Sequence, residues 1–201
     1  MPSVMFHDGN RRLQDQFDSR RISDRLEEKL TRQAFTEQDL AFIEGAMFFF
    51  LATADAEGQP DCSFKGGTPG FVKVVGSDEL AFPDYDGNGM FKLLGNILVN
   101  SGVGLLFIDM GEKPRRLRVN GTATVSRDDP LIQRFAGAQL LVRVKARAIF
   151  PNCPRYIVTP GTSEPSKYTP RPGYHPPEPA WKGFDDFKEY VHPRQPTPNG
   201  K

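Results

Sequence analysis

Cysteine and histidine are both scarce in this 201-residue chain, which contains two cysteines and three histidines. Cys62 and Cys153 form no CxxC pair, so they indicate neither a disulfide framework nor a zinc site of the usual spacing. The histidines, His7, His175 and His192, are too far apart in the sequence to predict a metal site. We therefore expect a reduced, cytoplasmic protein without a bound metal ion.

Long apolar runs and an excess of one charge are also absent. No run approaches the roughly 20 apolar residues that cross a membrane, and the opening MPSVMFHDGNRR lacks the apolar core of a signal peptide. The net charge of +1 gives no general attraction to polyanions. Neither a P-loop nor a dinucleotide-binding glycine pattern is present, and no nucleophile and base are spaced as a recognisable catalytic pair. The sequence therefore does not identify catalytic residues.

Composition divides the chain into three regions. Residues 1–40 are charged and helix-prone, which predicts a helical N-terminal extension, and Thr36 and Asp39 are spaced as a helix capping box. Residues 41–158 are rich in strand-like sequence and are expected to form the main domain. Residues 159–201 are rich in proline, which predicts little regular structure apart from a short helix around Trp181–Tyr190.

The central region alternates between apolar strands and turns. The predicted strands span residues 47–54, 61–67, 71–75, 79–82, 103–109, 115–125 and 140–150. Gly58 lies at the tip of the first hairpin, Gly121 predicts a β-bulge, and Pro130 fits the first turn of a short helix. Six or seven mostly antiparallel strands with one embedded helix favour a barrel, because closure removes exposed strand edges. The predicted fold class is therefore mainly β.

The stretch FPDYDGNGMFKLLGNI, residues 82–97, leaves a strand through Gly87 and Gly89 and then becomes apolar with helical spacing. A helix N-terminus has unpaired N–H groups and a partial positive charge, so it binds phosphate readily. Glycines also let a ligand approach the backbone closely. The stretch thus predicts an anion at a helix that starts directly after the glycines, with Asp84 and Asp86 capping the helix or bonding neutral groups of the ligand. The alternative is a tight connection that needs glycine for its turns.

Two arginines share one face of a predicted strand. Alternation places Arg116 and Arg118 on the face opposite Leu117 and Val119. Because both arginines follow a turn and point the same way, they are candidates for binding a ligand. A solvated barrel exterior is the alternative interpretation.

A second row of cations follows the same pattern, with Arg143, Lys145 and Arg147 on one face and Val142, Val144, Ala146 and Ala148 on the other. A solvated exterior explains the cations, whereas a nucleic-acid surface would need exposed aromatic residues between them for base stacking. We therefore expect no nucleic-acid partner. The apolar faces of both long strands are too extensive to be left in water, which predicts a dimer.

Taken in order, the segments FFFLATADAEGQPDCSFKGG, FPDYDGNGMF, NSGVGLLFID and RRLRVNG resemble the pyridoxamine 5′-phosphate oxidase-like flavoproteins. Members of that family are FMN-binding split β-barrels, so the resemblance implies FMN as the cofactor and a homodimer with the flavin at its interface. It further implies an early strand beside the flavin, a phosphate-binding loop and helix start, and a later strand that often reaches the second subunit's flavin. The residues at the matching positions are Ser63, Phe64, Lys65, Asp84, Tyr85, Gly87, Asn88, Gly89, Met90, Arg116 and Arg118.

The resemblance implies an oxidoreductase that transfers hydride or electrons between a nicotinamide or other donor and a small molecule. A non-catalytic flavin-binding or sequestering protein and a true pyridoxamine 5′-phosphate oxidase are the alternatives, and deazaflavin or haem stay open in place of FMN. The true oxidases have a Trp followed by an Arg-x-His-x-Arg pattern, whereas this chain has Trp181 and then His192-Pro193-Arg194. Their phosphate loop also has a paired Arg and Lys where this chain has Asn88-Gly89. The sequence therefore resembles a separate branch.

Overall fold

The computed structural model of the chain describes residues 3–158, 167 and 177–191. These residues form two units, one of residues 3–31, 167 and 177–191 and the other of residues 32–158. Most of the predicted proline-rich tail, including His175 and the His192-Pro193-Arg194 segment, lies outside the described residues. The predicted boundary at residue 40 falls within a helix that begins at Glu37 and belongs to the second unit.

The first unit is helical. Its regular elements are α1 (Asp8–Gln16), α2 (Arg20–Leu30) and a 3₁₀ helix (Ala180–Gly183). Arg25 Nη2 and Lys29 Nζ lie 3.3 and 3.2 Å from Asp186 Oδ1, so ion pairs join α2 to the segment after the 3₁₀ helix. The helix predicted around Trp181–Tyr190 is found only as this 3₁₀ helix, which ends at Gly183. Among the described residues, no helix is both long and apolar enough to cross a membrane.

The second unit is a curled antiparallel sheet with two α-helices. Its elements are α3 (Glu37–Gly45), β1 (Phe48–Ala54), β2 (Pro60–Gly66), β3 (Lys73–Val74), β4 (Glu79–Tyr85), α4 (Lys92–Val99), β5 (Gly102–Asp109), β6 (Arg115–Ser126), a second 3₁₀ helix (Pro130–Arg134) and β7 (Ala138–Asn152). The strand order is β2-β1-β5-β6-β7-β4-β3, and all neighbouring strands are antiparallel. The predicted mainly β fold with seven strands, an embedded helix and N-terminal helices is confirmed.

The core shows that the sheet curls on itself. Phe49 on β1 contacts Phe107 on the neighbouring β5, with ring centroids 5.1 Å apart, and Phe82 on β4 at 4.9 Å. Because β1 and β4 are not neighbours in the sheet, the second contact crosses the barrel interior. All three rings are fully buried, and each such side chain stabilises the fold by about 1.5–3 kcal/mol. The edge strands β2 and β3 each have a single strand neighbour, so the barrel is split along that side.

The bulge predicted at Gly121 is confirmed by a register shift between Asn120 and Gly121. A Cβ atom at Gly121 would lie 2.0 Å from the carbonyl oxygen of Lys145, so a side chain there would displace β7. The shift makes Arg147 the extra residue of β7 and reverses the alternation of the strand beyond it. Ala148 is consequently opposite Asn120, on the other face of the sheet from Ala146. The prediction that Ala148 shares a face with Val142, Val144 and Ala146 is therefore wrong.

The cations on β7 lie beside acidic residues. Arg143 Nε is 2.5 Å from Asp129 Oδ2 and its Nη1 is 3.1 Å from Glu79 Oε1, while Lys145 Nζ is 3.5 Å from Asp78 Oδ2. The hydrogen bond from Arg143 lowers the pKa of the Asp129 carboxyl, and both carboxylates raise the pKa of Arg143. Local pairing of these charges favours a solvated exterior for this row, in line with the simpler interpretation of the sequence.

The apolar faces of β6 and β7 are covered by the chain itself. Leu117 and Val119 on β6 and Val142 and Val144 on β7 are between 0 and 3% exposed. The argument that these faces need a second subunit to cover them is therefore wrong, because the second unit's own core does so. A dimer remains a prediction that must rest on other surfaces.

Candidate functional site

A cavity of about 290 Å³ lies between β2, the end of β4 and the start of α4. It is lined by Ser63, Lys65, Asp84, Tyr85, Gly87, Asn88, Gly89, Met90, Phe91, Lys92, Leu93, Leu94 and Gln139. Eight of the eleven residues predicted to bind the cofactor are thus brought together, and the exceptions are Phe64, Arg116 and Arg118.

Strand alternation directs two polar side chains of β2 toward this cavity. Ser63 and Lys65 lie opposite Leu51 and Phe49 of β1, both of which are fully buried in the core. Residues directly opposite each other in adjacent strands share a face of the sheet, so the polar pair lies on the inner face. Since β2 is an edge strand, that face borders the cavity at the split of the barrel.

An ion pair forms one wall of the cavity. Lys65 Nζ lies 3.2 Å from Asp84 Oδ1, and the two side chains are only 19% and 11% exposed. Gln139 Nε2 donates to Asp84 Oδ2 and to the Tyr85 carbonyl oxygen, each at 3.1 Å. Asp84 therefore does not cap the following helix, which corrects one of the two roles predicted for it. No sequence pattern revealed Gln139, because a register shift in the β4–β7 pairing places it here.

The loop before α4 has a fixed, irregular backbone. Asn88 Oδ1 accepts a hydrogen bond of 3.0 Å from the Met90 N–H, and Gly89 has φ +72°. Phe91 is also left-handed, with φ 47° and ψ 25°, which is rare for a bulky residue and is often found at functional sites. These conformations delay the helix to Lys92, so the predicted start directly after the glycines is wrong.

The start of α4 is open toward the cavity. The first intrahelical bond runs from the Gly95 N–H to the Phe91 carbonyl oxygen, so the N–H groups of Lys92, Leu93 and Leu94 have no acceptor within the helix. The capping residue Phe91 offers no side-chain acceptor to these N–H groups. Lys92, Leu93 and Leu94 all line the cavity. Lys92 is exposed and forms no ion pair with the described residues. Lys92 was not among the residues predicted from the sequence, although a lysine in the first turn after a glycine loop is a usable signal.

The two glycines of the loop have different reasons to be glycine. Gly89 needs its positive φ, whereas Gly87 has no such backbone requirement. A Cβ atom at Gly87 would meet no protein atom within 4 Å, so the fold alone does not exclude a side chain. Because Gly87 lines the cavity, its missing side chain leaves space for a ligand beside the backbone.

Phe64 and Arg118 lie on the outer face of the sheet. Phe64 is 61% exposed, its ring stacks on Phe48 at 5.4 Å between centroids, and its edge contact with Phe50 is 6.0 Å. We call Phe48, Phe50 and Phe64 the outer aromatic patch. Phe50 aligns with Leu106, which in turn aligns with Arg118, so the arginine lies on the same face as the patch, two strands from Phe50. Neither predicted residue lines the cavity of its own chain, and flavin contact by either stays a prediction that requires a second subunit.

Arg116 lies elsewhere again, in a different cavity at the ends of β6 and β7. Its Nη2 donates a hydrogen bond to the carbonyl oxygen of Cys153. Burial lowers the pKa of Arg116, and the neighbouring charges of Arg118 and Arg155 lower it further. Arg116 therefore does not line the cavity between β2 and α4 of its own chain, and its contact with flavin stays a prediction.

Comparison with known proteins identifies the family. No curated protein matches the sequence. Similar solved structures include a candidate pyridoxamine 5′-phosphate oxidase from Lactobacillus delbrueckii, with 24% identity, 59% of this chain and 95% of that chain covered, and a TM-score of 0.46. An FMN-binding protein from Syntrophomonas wolfei has 10% identity, with 73% of this chain and 96% of that chain covered, and a TM-score of 0.42. The haem storage protein HutZ from Vibrio cholerae has 19% identity, with 56% of this chain and 86% of that chain covered, and a TM-score of 0.38. The sequence profile of the pyridoxamine 5′-phosphate oxidase family matches residues 35–161, well over half of the chain, and the chain therefore belongs to that family.

Proposed function

We propose that this protein is a cytoplasmic, homodimeric flavoprotein that binds FMN in the cavity between β2, β4 and α4 and acts as an oxidoreductase. The observation that carries the proposal is the convergence of three separate segments, residues 63–65, 84–90 and 92–94, on one polar cavity. These segments supply an open helix start, two lysines and a glycine loop, which together suit a phosphorylated ligand.

The phosphate group of FMN fits the start of α4. That group carries close to two negative charges at neutral pH, whereas a helix N-terminus supplies only about half an elementary charge. Lys92 adds a full positive charge beside the open N–H groups, while the charge of Lys65 is shared with Asp84. We therefore assign the phosphate to Lys92 and the helix start, and the ribityl hydroxyls to Lys65, Asp84 and Gln139.

The size of the cavity supports a second subunit. At about 290 Å³ it lies at the lower limit of small-molecule sites, so it holds the phosphate and ribityl part better than a whole flavin. The isoalloxazine ring would then extend beyond the cavity and need apolar cover. The outer aromatic patch of a second copy, with Arg118 on the same face of the sheet, offers such cover, and its burial also removes exposed rings such as Phe64 from water.

FMN supplies hydride or single-electron transfer when it is bound, and the chain orients it and limits its contact with water. Among the residues that line the cavity there is no histidine or cysteine, and its one carboxylate, Asp84, already accepts from Lys65 and Gln139. This scarcity of free acid–base groups suits hydride exchange with a nicotinamide or other donor, which needs no protein base. The same observation favours the alternative of a flavin-binding or sequestering protein without efficient turnover.

True pyridoxamine 5′-phosphate oxidase activity is not part of the proposal. Trp181 packs edge-to-face on Phe187, with centroids 5.8 Å apart, inside the helical unit. The sequence after it departs from the oxidase pattern, as does Asn88-Gly89 in the phosphate loop.

The purified protein tests the proposal directly. An absorption spectrum separates flavin from haem and deazaflavin, and mass spectrometry of the heat-released cofactor separates FMN from FAD. We expect FMN, and the appearance of FAD, of haem or of no flavin after reconstitution contradicts the proposal. Rapid anaerobic reduction by NADH or NADPH, followed by transfer to an acceptor, supports the enzyme over the sequestering protein.

A further inference from the structure

A second cavity, of about 730 Å³, lies between the first half of α3 and the ends of β6 and β7. We call it the α3 cavity, and it is lined by Arg32, Thr36, Glu37, Gln38, Asp39, Phe42, Pro114, Arg115, Arg116, Leu117, Pro151, Asn152 and Pro154. It shares no lining residue with the proposed flavin cavity. Its volume falls well within the range of small-molecule binding sites.

Two of its charges are matched. Arg32 Nη2 lies 2.8 Å from both carboxylate oxygens of Asp39. Asp39 also accepts a 2.9 Å hydrogen bond from the Thr36 N–H, which closes the capping box of α3. The remaining charged side chains of the lining are Arg115, Arg116 and Glu37, so the cavity carries an excess of positive charge.

Neutral groups fix both remaining arginines. Arg116 donates to the Cys153 carbonyl oxygen, and the guanidinium of Arg115 lies 4.5 Å from the centroid of the Phe42 ring. No acidic side chain forms an ion pair with either arginine within the described part of the chain. Arg116 lies close enough to Arg118 for the two positive charges to repel. An anion in the cavity would offset this repulsion.

Buried polar atoms of two lining residues lack partners. Arg116 Nε and Asn152 Oδ1 are both buried, and neither has a hydrogen-bond partner among the described residues. The two residues face each other across β6 and β7, so a donor and an acceptor lie unsatisfied at the same place. Buried polar atoms are nearly always bonded to protein or to water, so Arg116 Nε is a donor that a bound carboxylate can satisfy, whereas a carboxylate offers no donor to the Asn152 oxygen.

We propose that the α3 cavity binds a small organic carboxylate, with its acid group held by Arg116, the positive charge of Arg115 on the other face of β6 adding to the attraction, and its apolar body against Phe42 and the three prolines. A monoanion suits the cavity better than inorganic phosphate, because the Glu37 carboxylate opposes a second negative charge. The apolar wall of Leu117, Pro114, Pro151 and Pro154 has no counterpart in a bare inorganic anion. The proposal does not depend on FMN binding.

Isothermal titration calorimetry of the full chain with cyclohexanecarboxylate tests the site. Acetate and cyclohexanecarboxamide serve as ligand controls, since one lacks the apolar body and the other lacks the charge. We expect Arg116→Gln to weaken cyclohexanecarboxylate binding about 10-fold or more, the loss typical of a charge-assisted hydrogen bond. Arg134→Gln is the matched control, because Arg134 is exposed at the end of the 3₁₀ helix Pro130–Arg134 and lines neither cavity.

Arg115→Gln keeps the test valid if loss of the bond to Cys153 prevents Arg116→Gln from folding, and it should also weaken binding. Amide NMR shifts on titration should cluster in residues 36–42, 114–117 and 151–154. Equal affinity in the arginine variants, equal affinity for acetate or the carboxamide, or competition by FMN would each overturn the proposal. No detectable heat or shift with cyclohexanecarboxylate would overturn it as well.

Discussion

Lys65 Nζ lies 3.2 Å from Asp84 Oδ1, and this ion pair connects β2 to β4, two strands that are not neighbours in the sheet. The contact exists because the sheet curls until its two sides meet at the split. Gln139 holds the second carboxylate oxygen, so the charge of Lys65 is largely committed before any ligand arrives. The residue best placed to provide a free cation for a phosphate is therefore Lys92, in the first turn of α4.

We expect Lys92→Ala to weaken FMN binding by about 10- to 150-fold, because one charge-assisted hydrogen bond contributes roughly 1.5–3 kcal/mol. Riboflavin lacks the phosphate, so its affinity should stay nearly constant. Titration of apoprotein by flavin fluorescence measures both constants, with Lys113→Ala, in the exposed turn after β5, as the matched control. An equal loss of riboflavin affinity would show that Lys92 does not contact the phosphate and would contradict its placement at α4.

Lys65→Ala should act differently, since we place Lys65 beside the ribityl chain that FMN and riboflavin share. Both ligands should weaken to a similar extent, by about 10-fold. The variant also leaves Asp84 without its cation in a position that is only 11% exposed, so the free energy of unfolding should fall. Adding Asp84→Asn should recover part of that stability in urea denaturation. A selective loss of FMN affinity would make Lys65 a phosphate contact instead.

The sequence predicted six of the seven strands well because their cause is local alternation of apolar and polar residues, whereas the strand predicted over 71–75 is reduced to Lys73–Val74. It placed Ser63 and Lys65 beside Asp84 and the glycine loop only through the family resemblance, since residues so distant in sequence meet through the curl of the sheet. The helix start was predicted too early because nothing in the letters shows that Phe91 adopts a left-handed conformation.

The remaining misses arise from register. Gln139 enters the cavity because of an irregularity in the β4–β7 pairing, and Ala148 changes face because of the bulge opposite Gly121. A one-residue shift reverses every later side chain of a strand, and its effect depends on the partner strand. The bulge itself was predictable from Gly121, but its consequence for β7 was not.

Gly121→Ala should destabilise the protein by about 3 kcal/mol, at the upper end of overpacking effects, because its Cβ would lie 2.0 Å from the Lys145 carbonyl oxygen. Gly95→Ala is the matched control: it lies in α4, where a Cβ would meet nothing within 4 Å, and should stabilise the helix by about 0.5–1 kcal/mol. Urea denaturation of both variants measures the difference. Similar stabilities would show that β7 adjusts to the added methyl group.

Phe64→Glu should convert the proposed dimer into a monomer, because it puts a charge into the outer aromatic patch where a second copy would bind. Gln133→Glu adds the same charge at an exposed position of the 3₁₀ helix Pro130–Arg134 and should leave the oligomeric state unchanged. Light scattering at several protein concentrations reports the mass. A parent protein that is monomeric and still binds FMN tightly would contradict both the dimer and the shared flavin site.

The Asp129–Arg143 pair predicts a specific dependence of stability on pH. The hydrogen bond from Arg143 lowers the pKa of Asp129 below its ordinary value of 3.8, so the folded state binds fewer protons than the unfolded state. The stabilisation is therefore complete above pH 3.8 and is lost as the pH falls through the lowered folded pKa.

Asp129→Asn removes the titrating group but keeps an oxygen that can accept the 2.9 Å hydrogen bond from the Leu131 N–H. At pH 7 it should cost about 1 kcal/mol or more, because Arg143 loses a charged partner that is itself only 9% exposed. The gap in unfolding free energy between parent and variant should stay constant as the pH is lowered from 7 to about 4 and narrow below pH 3.8, since protonation removes the same interaction from the parent. Asp128→Asn, at an exposed neighbouring position, should show no such convergence. Thermal denaturation across this pH series measures the gap, and a constant difference at all pH values would show that Arg143 does not stabilise the Asp129 carboxylate.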